Sequence, residues 1–220
     1  MCGVSGEIRF AGGSADVDAV ARISAVMEPR GPDGHGLWHE GPVALAHRRL
    51  AIIDLSPTGA QPMVDSALRL VTVFNGCIYN YNQLREELQG HGYRFFSSSD
   101  TEVIAKAYHR WGVHCVDHFF GMFAFAILEQ DTGRMILARD RLGIKPLYLS
   151  QTSNRLRFAS SLPALLAGGD VDTSIDPIAL NHYMTFHAVV PAPMTILSGI
   201  RKLPPATVRT IEPDGRSTDI

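Results

Sequence analysis

An excess of either charge is missing from this sequence: 20 Lys and Arg stand against 22 Asp and Glu, for a formal net charge of -2. With no basic excess to neutralise phosphates, there is no reason to expect nucleic acid or an anionic membrane surface as a partner. Long apolar runs are missing as well. None approaches the ~18 residues of a membrane span, so no transmembrane helix is expected. The start has no basic region followed by an apolar stretch, and so does not read as a signal peptide. Cysteine is scarce: Cys2, Cys77 and Cys115 are odd in number and widely spaced. That pattern implies neither a disulfide framework nor a zinc ribbon, and a reducing cytoplasm is the expected setting. The 9 histidines form no dense cluster. His114 and His118 sit four residues apart, but with no third ligand close by they read as ordinary helix-face residues.

What remains is a chain of 220 residues, 45% hydrophobic, long enough for one large or two small domains around a layered core. Gly3 to Phe10 reads as a strand, and Asp16 to Met27 as a helix with apolar residues at Val17, Val20, Ile23 and Met27. Val43 to Leu55 is strand-like. Leu68 to Phe74 is the strongest strand pattern and runs into Asn75-Gly76, a turn pair by composition. Tyr81 to Gln89 and Asp100 to Trp111 read as helices, the second capped by Ser99 or Asp100. Short strands follow at Met122–Leu128, Met135–Ala138, Leu147–Ser150 and Arg155–Ala159. Met122, Phe123 and Phe125 read as core. Blocks of strands and helices, rather than βαβ repeats, argue for a layered α+β fold with antiparallel sheets. The texture changes after Gly168-Gly169. The expected division is a main domain over residues 2–167 and a connector with one short helix and a final strand over 168–220.

The chemistry begins at Met1-Cys2-Gly3. Once Met1 is removed, Cys2 carries both a thiol and a free α-amine. The amine, with pKa near ~8, is partly neutral at pH 7 and can take the thiol proton without a histidine. Taken alone, a second-position cysteine is a weak signal.

Further segments strengthen it: Arg30-Gly31-Pro32-Asp33, Ala46-His47-Arg48-Arg49-Leu50, Asn75-Gly76-Cys77-Ile78-Tyr79-Asn80, Ser99-Asp100-Thr101-Glu102-Val103, Gly121-Met122-Phe123-Ala124-Phe125, and Ala138-Arg139-Asp140-Arg141-Leu142-Gly143-Ile144-Lys145-Pro146-Leu147-Tyr148. With Cys2, and in this order and spacing, they resemble the glutaminase domain of class II glutamine amidotransferases, specifically the asparagine synthetase branch. Within that branch, Asn75-Gly76-Cys77 is most similar to enzymes that amidate N-acetylglutaminylglutamine.

The resemblance implies an N-terminal-nucleophile fold, a four-layer αββα sandwich of two antiparallel sheets between helices. It implies that Cys2 attacks the side-chain amide of L-glutamine, with Asn75 and the Gly76 N–H as oxyanion hole. Arg49 would bind the α-carboxylate and Asp100 the α-ammonium. Leu50 to Ile53 would line the pocket, with Cys77 beside the ammonium. No metal or cofactor is implied for this domain; ATP and Mg belong to a synthetase domain, expected as the partner that receives the ammonia. No Ser-Gly-Gly-rich pyrophosphate loop occurs in these 220 residues. A homodimer stays open.

Two positions depart from the family. Cys77 stands where the family has Glu, and Ser161 where it tends to have Glu after Phe158-Ala159-Ser160. Read without the family, Arg49 is a surface residue like Arg48, Asp100 an N-cap, and Asn75-Gly76 a hairpin turn. Two rival functions follow: a non-catalytic regulatory module that keeps the fold, and an N-terminal-nucleophile acylase acting on another amide.

Overall fold

The computed structural model describes residues 1–10 and 12–220. One six-stranded sheet runs in the order β10 (Arg201–Lys202), β8 (Tyr148–Gln151), β9 (Arg155–Ala159), β1 (Gly3–Arg9), β3 (Val43–Arg49) and β2 (Gly34–Glu40). The other runs β12 (Ser217–Asp219), β11 (Thr207–Ile211), β7 (Met135–Arg139), β6 (Gly121–Glu129), β5 (Leu70–Ile78) and β4 (Met63–Asp65). Neighbouring strands are antiparallel in both.

Side chains alternate across each strand, and the alternation builds the layers. Val4, Ile8, Val43 and Leu45 of the first sheet meet Val71, Val73, Ala124, Ala126 and Leu137 of the second in one buried cluster. On the far side of the first sheet, α1 (Val17–Val26) and α4 (Leu162–Leu166) pack through Val20, Ile23 and Leu165. On the far side of the second, α2 (Tyr81–Gly90) and α3 (Asp100–Trp111) pack through Leu84, Leu88, Val103 and Ile104. Each such side chain taken out of water contributes roughly 1.5–3 kcal/mol. This is the αββα sandwich that the family resemblance implies.

A buried ion pair pins the layers. Glu7 on β1 faces Arg157 on β9 in register, and the Glu7 carboxylate bonds the Arg157 guanidinium. Glu7 also accepts the Asp16 N–H at 2.9 Å, and Asp16 caps α1 by accepting the Ala19 N–H. Glu7 also bonds Arg9, and Arg157 also bonds Asp16 and the Gly168 and Gly169 carbonyls, so removing one charge would unbalance a buried network rather than a single pair.

Several elements differ from expectation. The strand read over Val43 to Leu55 ends at Arg49, and the chain then leaves the sheet through an irregular segment with a tight turn at Pro57–Gly59. Asn75-Gly76 is not a hairpin turn. Both residues lie inside β5, opposite Ala124 and Phe123 of β6. Glycine is required there because a Cβ at Gly76 would fall 2.2 Å from the Met122 carbonyl oxygen. The edge strands β2 and β4 have weak alternation and no counterpart in the sequence reading. Past Gly168, the helix α5 (Pro177–Thr185) forms close to its expected place, but three strands follow rather than one: β10 joins the first sheet, β11 and β12 the second. Ser161 caps α4 by accepting the Ala164 N–H at 3.4 Å. His118 stacks on Trp111 at 3.9 Å in a 3-10 segment spanning Gly112–His118. Among the described residues, no three His, Cys, Asp or Glu side chains gather as metal ligands, and no helix is long and apolar enough to cross a membrane.

Candidate active site

The alternation that builds the core also selects the site. On β3, Val43 and Leu45 face the other sheet, so His47 and Arg49 do too. Arg48 points the opposite way and donates to the Ser24 carbonyl at 3.1 Å. On β5, Val71 and Val73 face inward, and Asn75 and Cys77 continue that face. Cys2 lies two residues before Val4 on the same side of the first sheet. Cys2, Arg49, Leu50, Ile53, Asn75, Gly76, Cys77 and Asp100 all line one cavity of about 170 Å³ at the end of the inter-sheet space. That is smaller than the ~300–1,000 Å³ of pockets for drug-sized ligands, and suits a small metabolite.

The cavity exists because β4 is short. It pairs only with Leu70–Thr72, which leaves the edge of β5 bare from Phe74 onward. The Phe74 N–H donates to Gln61 Oε1 at 2.6 Å and the Ile78 N–H to Asp100 Oδ2 at 3.1 Å. Residues two apart on a strand present their N–H groups to the same edge, so the Gly76 N–H faces the cavity between these two acceptors. The Asn75 side-chain nitrogen is buried and has no partner. A buried donor left unpaired typically costs ~1–3 kcal/mol, and such groups call for an explanation such as a ligand role.

Cys2 Sγ accepts the Leu50 N–H at 3.3 Å. Burial pushes its thiol pKa up, and the Leu50 N–H and the N-terminal positive charge pull it the other way. Arg30 donates to the Cys2 carbonyl at 3.2 Å, and its Nη2 is buried without a partner. Gly31 lets that segment press on β3, since a Cβ there would lie 2.4 Å from the Arg48 carbonyl. The Arg49 guanidinium donates to the Ser56 carbonyl at 3.0 Å and to the Asp54 carbonyl. Asp100 opens α3 just after the Ser99 cap. Burial pushes its carboxyl up to about 6, against the pull of the Ile78 N–H and the first-turn amides. Cys77 is half-buried, and its thiol is pushed up by burial and by Asp100, with Lys145 pulling down. His47 bonds the Phe74 carbonyl through Nε2 at 3.1 Å; burial holds its pKa near about 4, so the ring is neutral.

Three lining residues were given no site role by the sequence reading. Met122, read as core, lines the cavity, whereas Phe123 and Phe125 are core. Gln61 fills the bare edge of β5 and donates to Thr101 Oγ1 at 3.0 Å, and nothing in its sequence context signals this. Lys145 is buried on the cavity wall, inside a segment that the family resemblance already singled out.

Residues 1–219 match the family model described as "Glutamine amidotransferase domain". Among curated proteins, the chain is 37% identical over 221 residues to "Asparagine synthetase [glutamine-hydrolyzing] 1" of Bacillus subtilis (strain 168), covering 99% of this chain and 34% of that protein. It is 33% identical over 218 residues to "Asparagine synthetase [glutamine-hydrolyzing] 3" of the same organism, covering 98% and 35% respectively. The chain thus spans about a third of the length of the curated relatives it matches. Among solved structures, a glutamine phosphoribosylpyrophosphate amidotransferase from B. subtilis superposes with a TM-score of 0.71 at 20% identity, over 100% of this chain and 49% of that one, which shows the shared fold. With its αββα sandwich and a sequence match that runs nearly end to end, the chain belongs to the glutamine amidotransferase domain family, homologous to the asparagine synthetases.

Proposed function

We propose that the chain hydrolyses the side-chain amide of L-glutamine through a Cys2 thioester, releasing glutamate and ammonia. The observation that carries this reading is the unpaired Asn75 amide nitrogen, buried on the same cavity wall as Cys2 and the outward-facing Gly76 N–H. In this mechanism the α-amine of Cys2, freed by loss of Met1, takes the thiol proton as sulfur attacks the amide carbon. The negative charge that develops on the amide oxygen is met by the Asn75 Nδ2–H and the Gly76 N–H, a pair of fixed donors. The amine then protonates the departing ammonia, and later activates water to cleave the thioester. Arg49 takes the α-carboxylate through the guanidinium N–H groups that the loop carbonyls leave free, a geometry suited to a planar fork. Asp100 takes the α-ammonium. Both line the cavity that Cys2 lines, so the two charged groups that glutamine carries on one carbon are held together while its side chain reaches toward the thiol.

The partner is a synthetase domain that uses the ammonia to amidate a carboxylate, in keeping with the glutamine-hydrolysing asparagine synthetases among the relatives. ATP and Mg belong to that domain and not to this cavity. The acceptor, including an N-acetylglutaminylglutamine-type substrate, belongs to the same proposal, as does the division into a glutaminase domain and a connector after residue 167. The test is glutamate release from glutamine by chain verified to start at Cys2. Absence of release would favour a non-catalytic module with the same fold.

A further inference from the structure

Asp54 is a buried carboxylate that takes no part in the mechanism above. Its Oδ1 accepts the Ser56 N–H at 2.8 Å and the Ser56 hydroxyl at 2.6 Å. Its Oδ2 accepts the Ser98 N–H at 3.0 Å and reaches the Thr58 hydroxyl at 3.4 Å. The two Ser56 bonds and the Thr58 contact fold the 54–58 segment onto itself. The Ser98 bond crosses 44 residues to a different element. Ser98 stands two residues before Asp100, in the loop that enters α3.

The same residue holds the other end of the cavity by its backbone. The Asp54 carbonyl accepts from Arg49 Nη2, and the Ser56 carbonyl, placed by the Asp54 side chain, accepts from Arg49 Nη1 at 3.0 Å. Gly59 closes the ring: a Cβ there would sit 2.7 Å from Arg49 Nη2 and 3.0 Å from the Asp54 side chain. The segment therefore wraps the guanidinium tightly. These hydrogen bonds also hold the Asp54 carboxyl at about 2, so the arrangement persists across the range in which enzymes work.

We infer that Asp54 is a positioning residue that sets where the cavity's cation, Arg49, stands relative to its anion, Asp100, and so how well the cavity fits the carboxylate and ammonium that a free α-amino acid carries on one carbon. The inference rests on the glutaminase reading. Charge-assisted bonds of this kind supply the rigidity this needs, since a loose loop would let either reader drift from its substrate group. Asp54 itself touches no reacting atom in this scheme; it acts through Arg49 and Ser98.

The experiment compares three amides: glutamine, glutaramate, which lacks the α-ammonium, and 4-aminobutanamide, which lacks the α-carboxylate. Ammonia release by wild-type chain starting at Cys2 fixes the two ratios of kcat/KM, glutamine over each analogue. In Asp54→Asn, one acceptor oxygen becomes an NH2 facing donors. KM for glutamine should rise about 10- to 100-fold with kcat within a few-fold. Both ratios should fall together, because each analogue is insensitive to the placement of the residue that reads the group it lacks. If either ratio keeps its wild-type value, the inference is overturned; a merely destabilised enzyme loses rate on all three amides in parallel. Should Asp54→Asn fail to fold, Ser56→Ala, which removes the 2.6 Å bond and leaves the carboxylate, decides by the same ratios with a smaller expected fall. No release from glutamine by the wild-type chain overturns the parent reading and this inference with it.

Discussion

Asp100 Oδ2 accepts the Ile78 N–H at 3.1 Å, and this bond ties the first turn of α3 to the bare edge of β5. One contact thereby fixes the position of the anion relative to Asn75 and Gly76, which lie three and two residues back on the same strand. It also creates a conflict. The carboxylate is buried, and burial lifts its pKa to about 6. The cavity is thus built around a charge that is costly until a cation arrives.

The conflict predicts a pH profile. Below pH 6, Asp100 is protonated and the substrate ammonium loses its partner, so kcat/KM for glutamine should fall about tenfold per unit. Bound ammonium stabilises the carboxylate, so kcat should inflect at lower pH than kcat/KM. Asp100→Asn should flatten the acid limb and raise KM. A kcat/KM profile for wild type that stays flat to pH 4.5 would separate Asp100 from binding.

The same shift predicts an effect on stability. The folded pKa lies above the unfolded value of ~3.9, so the protonated form is favoured in the folded state. The stability this contributes is full below about pH 4 and is lost as pH rises through 6. At pH 7 the ionised group costs up to about 3 kcal/mol. Asp100→Asn should therefore melt higher than wild type at pH 7, with the difference vanishing near pH 4. Thermal unfolding at the two pH values checks this.

Met1 lines the cavity beside Cys2. Retaining it converts the α-amine of Cys2 into a peptide nitrogen with no basicity, so the thiol, already raised by burial, loses its base. Active material should show the loss of one methionine by intact mass. Full activity from chain that keeps Met1 would sink the mechanism.

Asn75→Ala should lower kcat by ~10²–10³ with little change in KM, because its donor matters most when the oxyanion forms. The fold should tolerate it, since the Asn75 nitrogen has no partner to lose. Cys2→Ala should abolish hydrolysis and leave the melting temperature close to wild type. An Asn75→Ala effect confined to KM would argue against the oxyanion role.

Cys77→Glu should lower KM for glutamine with kcat nearly unchanged. A second carboxylate near the ammonium adds a charge-assisted bond, typically worth ~1.5–3 kcal/mol, or about 10- to 150-fold. Lys145 lines the same cavity and pulls the Cys77 pKa down, so it is close enough to share the new charge and hold the gain to the lower part of that range. An unchanged or raised KM in side-by-side titrations would show that the cavity is shaped around the thiol instead.

Much of this was readable in the chain. Cys2 was a weak nucleophile candidate by position that the downstream motifs strengthened, and period-two alternation separates Arg49 from Arg48 once the strand Val43–Arg49 is granted. The helix at Asp100 was marked by its Ser99 cap and its first-turn Glu102. Other features read wrongly because local chemistry was ambiguous. Asn75-Gly76 has the composition of a turn, but partners across β6 hold it extended, and its glycine serves close strand approach rather than a reversal.

The sequence by itself determined which residue types are present and which face of each strand they occupy, because alternation and helical period are properties of the local backbone. It also carried the family, through motifs whose order and spacing are hard to explain as packing. Only the tertiary structure decided that β4 stops short and bares the edge of β5, that Gln61 and Asp100 take the N–H groups on either side of Gly76, and that Asp54 joins Arg49 to Ser98. Those contacts join residues 13 to 44 positions apart, apart from the Arg49 bond. Their energy depends on where other elements place the partner, and no local pattern encodes that.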